Sequence, residues 1–146
     1  MPASHVGMIP ATFDIAKKHP QPVRVSVTGG QETEAVGRPH IPNSAFAQAL
    51  VKSIVTSQTF SRVVEGQSKD EDYLLTVTIF SLEKLVFGWT VKLEAGWTLR
   101  RAGTSAIVWQ ESIISEFSEF NVQLATEGAA RNNIAQALAK ISRLNL

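Results

Sequence analysis

The stretch WTVKLEAGWTLRR, residues 89–101, decides the fold. Every second residue, Trp89, Val91, Leu93, Ala95, Trp97 and Leu99, is apolar, whereas Thr90, Lys92, Glu94, Thr98 and Arg100 between them are polar. A period of two predicts a β-strand with one buried and one wet face. Such a strand needs neighbours beside it and a layer over its apolar face, so the rest of the chain is read as the source of both.

Immediately downstream, a turn around Ala102-Gly103 leads into residues 107 to 117, a second alternating strand. Pairing by side-chain type predicts a three-residue loop, Ala102 to Thr104, with Leu99 opposite Ile107, Trp97 opposite Trp109, Leu93 opposite Ile113 and Trp89 opposite Phe117. Gly103 is then placed to supply a positive φ. Upstream, residues 73 to 82 are rich in β-branched and aromatic residues and form a strand with Leu75, Val77 and Ile79 on one side. The turn between this strand and the opening one is apolar: Leu85, Val86 and Phe87, followed by Trp89. Loop tips are normally polar, so these four are the candidate contact for a partner protein or a lipid.

Further out, Val23, Val25 and Val27 alternate with polar residues and end at Gly29-Gly30, a short first strand. A helix follows Asn43 or Ser44, either of which can cap it, with Phe46, Ala49, Leu50, Ser53 and Ile54 on one face. The pattern fails from Ser57 to Thr59, and Phe60 to Val64 reads as a short strand. A second helix is expected from about Leu124 to Leu144, with Glu127, Ala130, Ile134, Leu138, Ile141 and Leu144 on its buried stripe. The predicted fold is α+β, a mainly antiparallel sheet of four to five strands with two helices on one face, in the order β-α-β-β-β-β-α. Residues 22–146 make one α/β sandwich domain, and residues 1–21, with Pro2, Pro10 and Pro20, read as a flexible leader.

Composition narrows the function. The 146 residues carry a net charge of +1 and no cysteine, which excludes disulfides, thiol nucleophiles and cysteine-held metals and argues against a nucleic-acid surface. No run is long and apolar enough for a membrane span. Met1 to Pro10 lacks the basic start and apolar middle of a signal peptide, leaving either a cytoplasmic protein or one whose secretion signal lies outside this sequence. His5, His19 and His40 read as exposed loop histidines without metal or base partners. Gly29-Gly30 is not followed by a phosphate-binding signature. Glu111, Glu116 and Glu119 lie along one strand with different facings, as solubilising residues do, and no GxSxG elbow is present. These residues give no catalytic, cofactor or metal site; an enzyme site around His40 and Gly29-Gly30 stands as the remaining alternative.

Certain local wordings resemble a known group. The valine-rich strand ending in Gly29-Gly30, the helix 44–56 running into Phe60-Ser61-Arg62-Val63-Val64, the strand Asp72-Tyr73-Leu74-Leu75-Thr76-Val77 and the helix containing Ala129-Ala130-Arg131-Asn132-Asn133-Ile134 are similar to small outer-membrane lipoproteins of Gram-negative bacteria. The likeness is to the lipopolysaccharide-assembly lipoprotein, the auxiliary lipoproteins of ABC transporters and the TolB amino-terminal-like domain, over about residues 22 to 144. It implies a non-enzymatic periplasmic domain on the outer membrane, tethered by a lipidated cysteine and acting in envelope assembly or transport through protein or lipid contacts. This sequence lacks that cysteine. The competing reading is a cytoplasmic or phage-related assembly protein pairing through a sheet edge.

Overall fold

A computed structural model describes residues 2–30, 39–86 and 88–146. The alternating segments form four strands, β1 (Val23–Thr28), β2 (Tyr73–Lys84), β3 (Thr90–Arg101) and β4 (Ile107–Ser118), and the two amphipathic segments form α1 (Asn43–Ser57) and α2 (Val122–Ile141). The sheet runs β1-β2-β3-β4. β2, β3 and β4 are a consecutive antiparallel meander, whereas β1 lies parallel to β2, as a connection through a helix permits. The α+β reading with two helices therefore holds, on a mixed, mostly antiparallel sheet. The expected strand at 60–64 is reduced to isolated bridges, His19 with Phe60 and Val23 with Val63.

Period-two burial in β3 is complete: Val91, Leu93, Ala95, Trp97 and Leu99 are all fully buried. α2 covers β3 and β4, and α1 covers β1. Phe46 of α1 reaches Trp97, with ring centroids 6.0 Å apart. In β2 the alternation is interrupted at Phe80, the extra residue of a bulge between Ile79 and Ser81. Phe80 stays on the open face with Thr76 and Thr78, and the insertion brings Leu82 to the core side opposite Leu93.

The hairpin register differs from the expected one by two residues. Trp97 lies opposite Glu111, Leu99 opposite Trp109, Ala95 opposite Ile113 and Val91 opposite Phe117. A bulge beside Leu99 and Arg100 inserts Val108, and the connection is longer, closed by Arg101 N–H donating to Ala106 O at 2.9 Å. The positive φ falls on Ser105 (61°), not Gly103. From Trp109 onward faces are preserved because the slip is even, so Trp97 is core and Trp109 packs against the core while half-exposed, whereas Ile107, beyond the bulge, lies opposite Arg100 and is exposed.

α1 begins after Pro42 without a side-chain cap. Asn43 Oδ1 instead accepts from Gly30 N–H at 2.6 Å, tying the end of β1 to the start of α1. Gly29 has φ +88°, and a side chain there would overlap the backbone of Ile79. The geometry of that turn is thus a strand-to-strand contact, and the glycine pair has a packing role. α1 ends where its pattern fails, at Gln58 in the left-handed region (φ 58°).

The expected flexible leader is packed against the domain. Met8, in a single 3₁₀ turn at Val6–Met8, is fully buried, and Phe13 and Ile15 lie against the core. The segment is held by Ala3 N–H to His40 O (2.9 Å), Ser4 N–H to Glu127 Oε2 (2.9 Å), Arg131 to Gly7 O (2.9 Å) and Ala16 N–H to Ser142 Oγ (3.0 Å). Proline spacing suppresses helix and strand periodicity without preventing burial, which is why the segment reads as loose. At the other side of the sheet, Arg24 pairs with Glu71 at 3.2 Å and donates to Gly66 O and Ser68 O, closing the 65–72 turn. The Arg24 guanidinium, reinforced by a backbone N–H, holds the Glu71 carboxyl below its usual range.

Candidate functional site

Two connections meet at one end of the sheet. The β2–β3 turn is closed by Leu85 N–H donating to Thr90 O at 2.9 Å, and Gly88 takes φ +73° within it. The β4–α2 connection is fixed to that turn by Glu119 N–H donating to Trp89 O at 3.1 Å and by the Thr90 and Ser118 hydroxyls, 2.6 Å apart. Asn121 then caps α2, its Oδ1 accepting from Leu124 N–H at 2.8 Å.

Backbone pairing of the two connections gathers exposed apolar side chains. Val86 is 86% exposed, Trp89 51%, Phe120 86% and Leu124 40%. Leu85 is half-buried beneath them and Phe87 lies outside the described residues. Lys84 Nζ stands 5.3 Å from the Trp89 ring centroid, a cation over an exposed aromatic face. Sequence reading finds the first connection but not Phe120 and Leu124, which sit in what looks like an ordinary linker. The signal available is a phenylalanine between Glu119 and Asn121, where a polar residue is usual.

His5 is exposed, but His19 and His40 are buried, contrary to expectation. The His19 ring packs at 5.6 Å from Phe60 and its Nε2 bonds Ile141 O at 2.9 Å, because the amino-terminal segment folds onto the helices. The His40 ring nitrogens have no hydrogen-bond partner among the described residues. The cavity of about 130 Å³ beside Gly29 and Gly30 is lined by Pro39, Ile41 and residues 79–82, and His40 is not part of its wall. Among the described residues no three His, Asp or Glu side chains converge as a metal site would require, and no helix is long and apolar enough to cross a membrane.

No protein-family model matches the chain, and no curated protein does either. Solved structures do. PelC from Paraburkholderia phytofirmans, solved as a dodecamer, superposes with a TM-score of 0.63 at 12% identity, covering 92% of this chain and 95% of that one. A Xanthomonas campestris protein of the DUF330 family gives 0.61 at 11%, covering 91% and 88%. A Caulobacter crescentus protein described as a lipoprotein gives 0.50 at 13%, covering 81% and 87%. At these identities the likeness establishes the fold alone.

Proposed function

We propose that this chain is a non-enzymatic accessory domain of the Gram-negative envelope that rests on a lipid surface through Leu85, Val86, Trp89, Phe120 and Leu124. The observation that carries this reading is the loop end itself, where two connections joined by backbone hydrogen bonds expose aromatic and aliphatic side chains beside Lys84. Aromatic rings with an adjacent amine suit the boundary between headgroups and acyl chains. The lipoprotein among the structural neighbours supports the envelope setting.

The contact is weak by itself. If Val86, Trp89 and Phe120 each contribute their exposed share of the ~1.5–3 kcal/mol for burying a large apolar side chain, the sum is about 5 kcal/mol. On the affinity scale that is on the order of a tenth of a millimolar to a millimolar. Such a surface orients a domain held by a second attachment, such as the lipidated cysteine of the lipoproteins it resembles.

The test is association with zwitterionic phospholipid vesicles, followed by the emission of Trp89 against a Trp89→Phe background. A blue shift with lipid, lost in Phe120→Ser/Val86→Ser, is the expected result. Absence of any vesicle-dependent shift at millimolar lipid overturns the lipid contact and leaves a protein partner for this surface.

A further inference from the structure

The sheet has two edges and they are treated differently. On the β1 edge, Val23 exchanges backbone hydrogen bonds with the 62–64 segment: its N–H donates to Arg62 O at 3.0 Å and its O accepts from Val64 N–H at 2.8 Å. Strand β4, Ile107–Ser118, has no such neighbour among the described residues.

Which backbone groups β4 leaves outward follows from the ladder. Trp89 O faces β4 and Thr90 O faces β2, so the odd-numbered residues of β3 bond to β4. Odd residues of β3 pair with odd residues of β4, Ala95 with Ile113 for example. The N–H and C=O groups of Gln110, Ser112, Ile114 and Glu116 therefore point away from the sheet. Among the described residues, Glu116 O alone of these groups receives a side chain, Asn132 Nδ2 at 3.5 Å. The edge is lightly guarded: β4 has no proline or lysine, its bulge at Val108 lies near one end, and the Glu111 carboxylate is turned to Lys140 at 2.6 Å, which leaves Glu116 as its exposed charge.

We infer that β4 pairs with β4 of a second copy, antiparallel about a two-fold axis, to make one continuous sheet. Outward groups occur only at even positions on both strands, so the paired residue numbers must share parity. The axis then passes through a residue of β4. An axis at Glu111 sets that carboxylate against itself, and one at Ser115 sets Glu111 against Glu119. An axis at Ser112 places Glu111 against Ile113, and one at Ile114 places Glu111 against Phe117. An axis at Ile113 avoids all four: Trp109 meets the second copy's Phe117, Gln110 meets Glu116, Glu111 meets Ser115, and Ser112 meets Ile114. This register joins Trp109 to Phe117 on the helix side and the Gln110 amide to the Glu116 carboxylate on the open side. Ile114, 52% exposed in the single chain, gains the second copy's Ser112 as its neighbour. The trough between β4 and α2, lined by Ile114, Glu116, Asn132, Ala135 and Gln136, leaves room for the approaching strand.

The proposal is tested by sedimentation across about a hundredfold range of concentration, where mass action separates dimer from monomer. Wild type is expected to be dimeric at the upper end. Ser112→Pro removes an outward N–H, and Ile114→Lys places a guard on the edge; each is expected to weaken association about tenfold or more. Far-UV circular dichroism and a retained cooperative unfolding transition establish that the variants are folded, and Ile114→Lys serves if Ser112→Pro is not. Because the chain has no cysteine, register is read by mixing Gln110→Cys with Glu116→Cys, which is expected to give a disulfide-linked pair under mild oxidant. A monomer throughout, or a dimer indifferent to Ile114→Lys, or cross-linking at Gln110→Cys with Ser112→Cys in preference, overturns it.

Discussion

Replacing Asn133 by alanine is expected to cost far more than its size suggests. Asn133 is fully buried on α2. Its Oδ1 accepts from Trp97 Nε1 at 2.7 Å, and its Nδ2 donates to Ile113 O at 2.9 Å and Ser115 Oγ at 3.1 Å. The indole N–H can only donate, which fixes the amide's orientation. Alanine leaves that N–H buried and unpaired, at about 1–3 kcal/mol. Ser115 Oγ keeps its bond to Ala129 O at 2.7 Å, so losses on the donor side are smaller, and the total is about 3 kcal/mol. The decisive measurement is a double-mutant cycle with Trp97→Phe, in which the orphaned donor no longer exists. Urea unfolding followed by far-UV circular dichroism avoids the changed fluorescence. The double variant is expected to be more stable than the sum of the singles implies, by about 1.5 kcal/mol. Additivity within about 0.3 kcal/mol would falsify the claim that this hydrogen bond ties the helix to the sheet.

Gly128 lies in α2 where a Cβ would overlap the Phe117 ring; Gly128→Ala is expected to destabilise by about 1–2 kcal/mol despite its helix preference, and in a Phe117→Ala background the same change is expected to stabilise. Glu127→Ala removes the carboxylate that accepts from Ser4 N–H and Gln123 Nε2, so amide exchange across residues 3–18 is expected to speed up while exchange in β3 does not. The depressed Glu71 carboxyl contributes stability above its unfolded value of about 4.5 and loses it as pH falls through the folded value. Wild type is accordingly expected to exceed Glu71→Gln in stability at neutral pH, with the difference closing in acid; a constant difference across that range would contradict the Arg24 pairing as its cause.

Much of this architecture is legible from periodicity, since β3 alternates from Thr90 to Arg100 and the helices carry their apolar stripes. What periodicity conveys is which face a residue takes, and the faces of Trp97, Ile113 and Leu138 are read correctly. It does not convey where an extra residue is inserted. Val108 and Ser105 shift the β3–β4 pairing by two positions and leave the faces from Trp109 to Phe117 unchanged, only Ile107 crossing to the open side, so side-chain matching converges on a neighbouring register. Buried polar residues are hidden for a related reason: Asn133 and His19 have the composition of surface residues, and only the positions of Trp97 and Ile141 give them partners. Half of the exposed apolar end, Phe120 and Leu124, is invisible because its neighbour Trp89 lies some thirty residues earlier in the chain.

The parallel placement of β1 bears on the order in which the molecule is made. Each pairing within β2, β3 and β4 is closed by a short turn, whereas Val23 must find Tyr73, fifty residues on. Loop closure over that distance is slow, and local hairpins form ahead of it. A chain threaded from its amino terminus therefore delivers β1 and α1 before the surface they rest on exists. The carboxyl-terminal meander with α2 is the template, and β1, α1 and the amino-terminal segment close over it last.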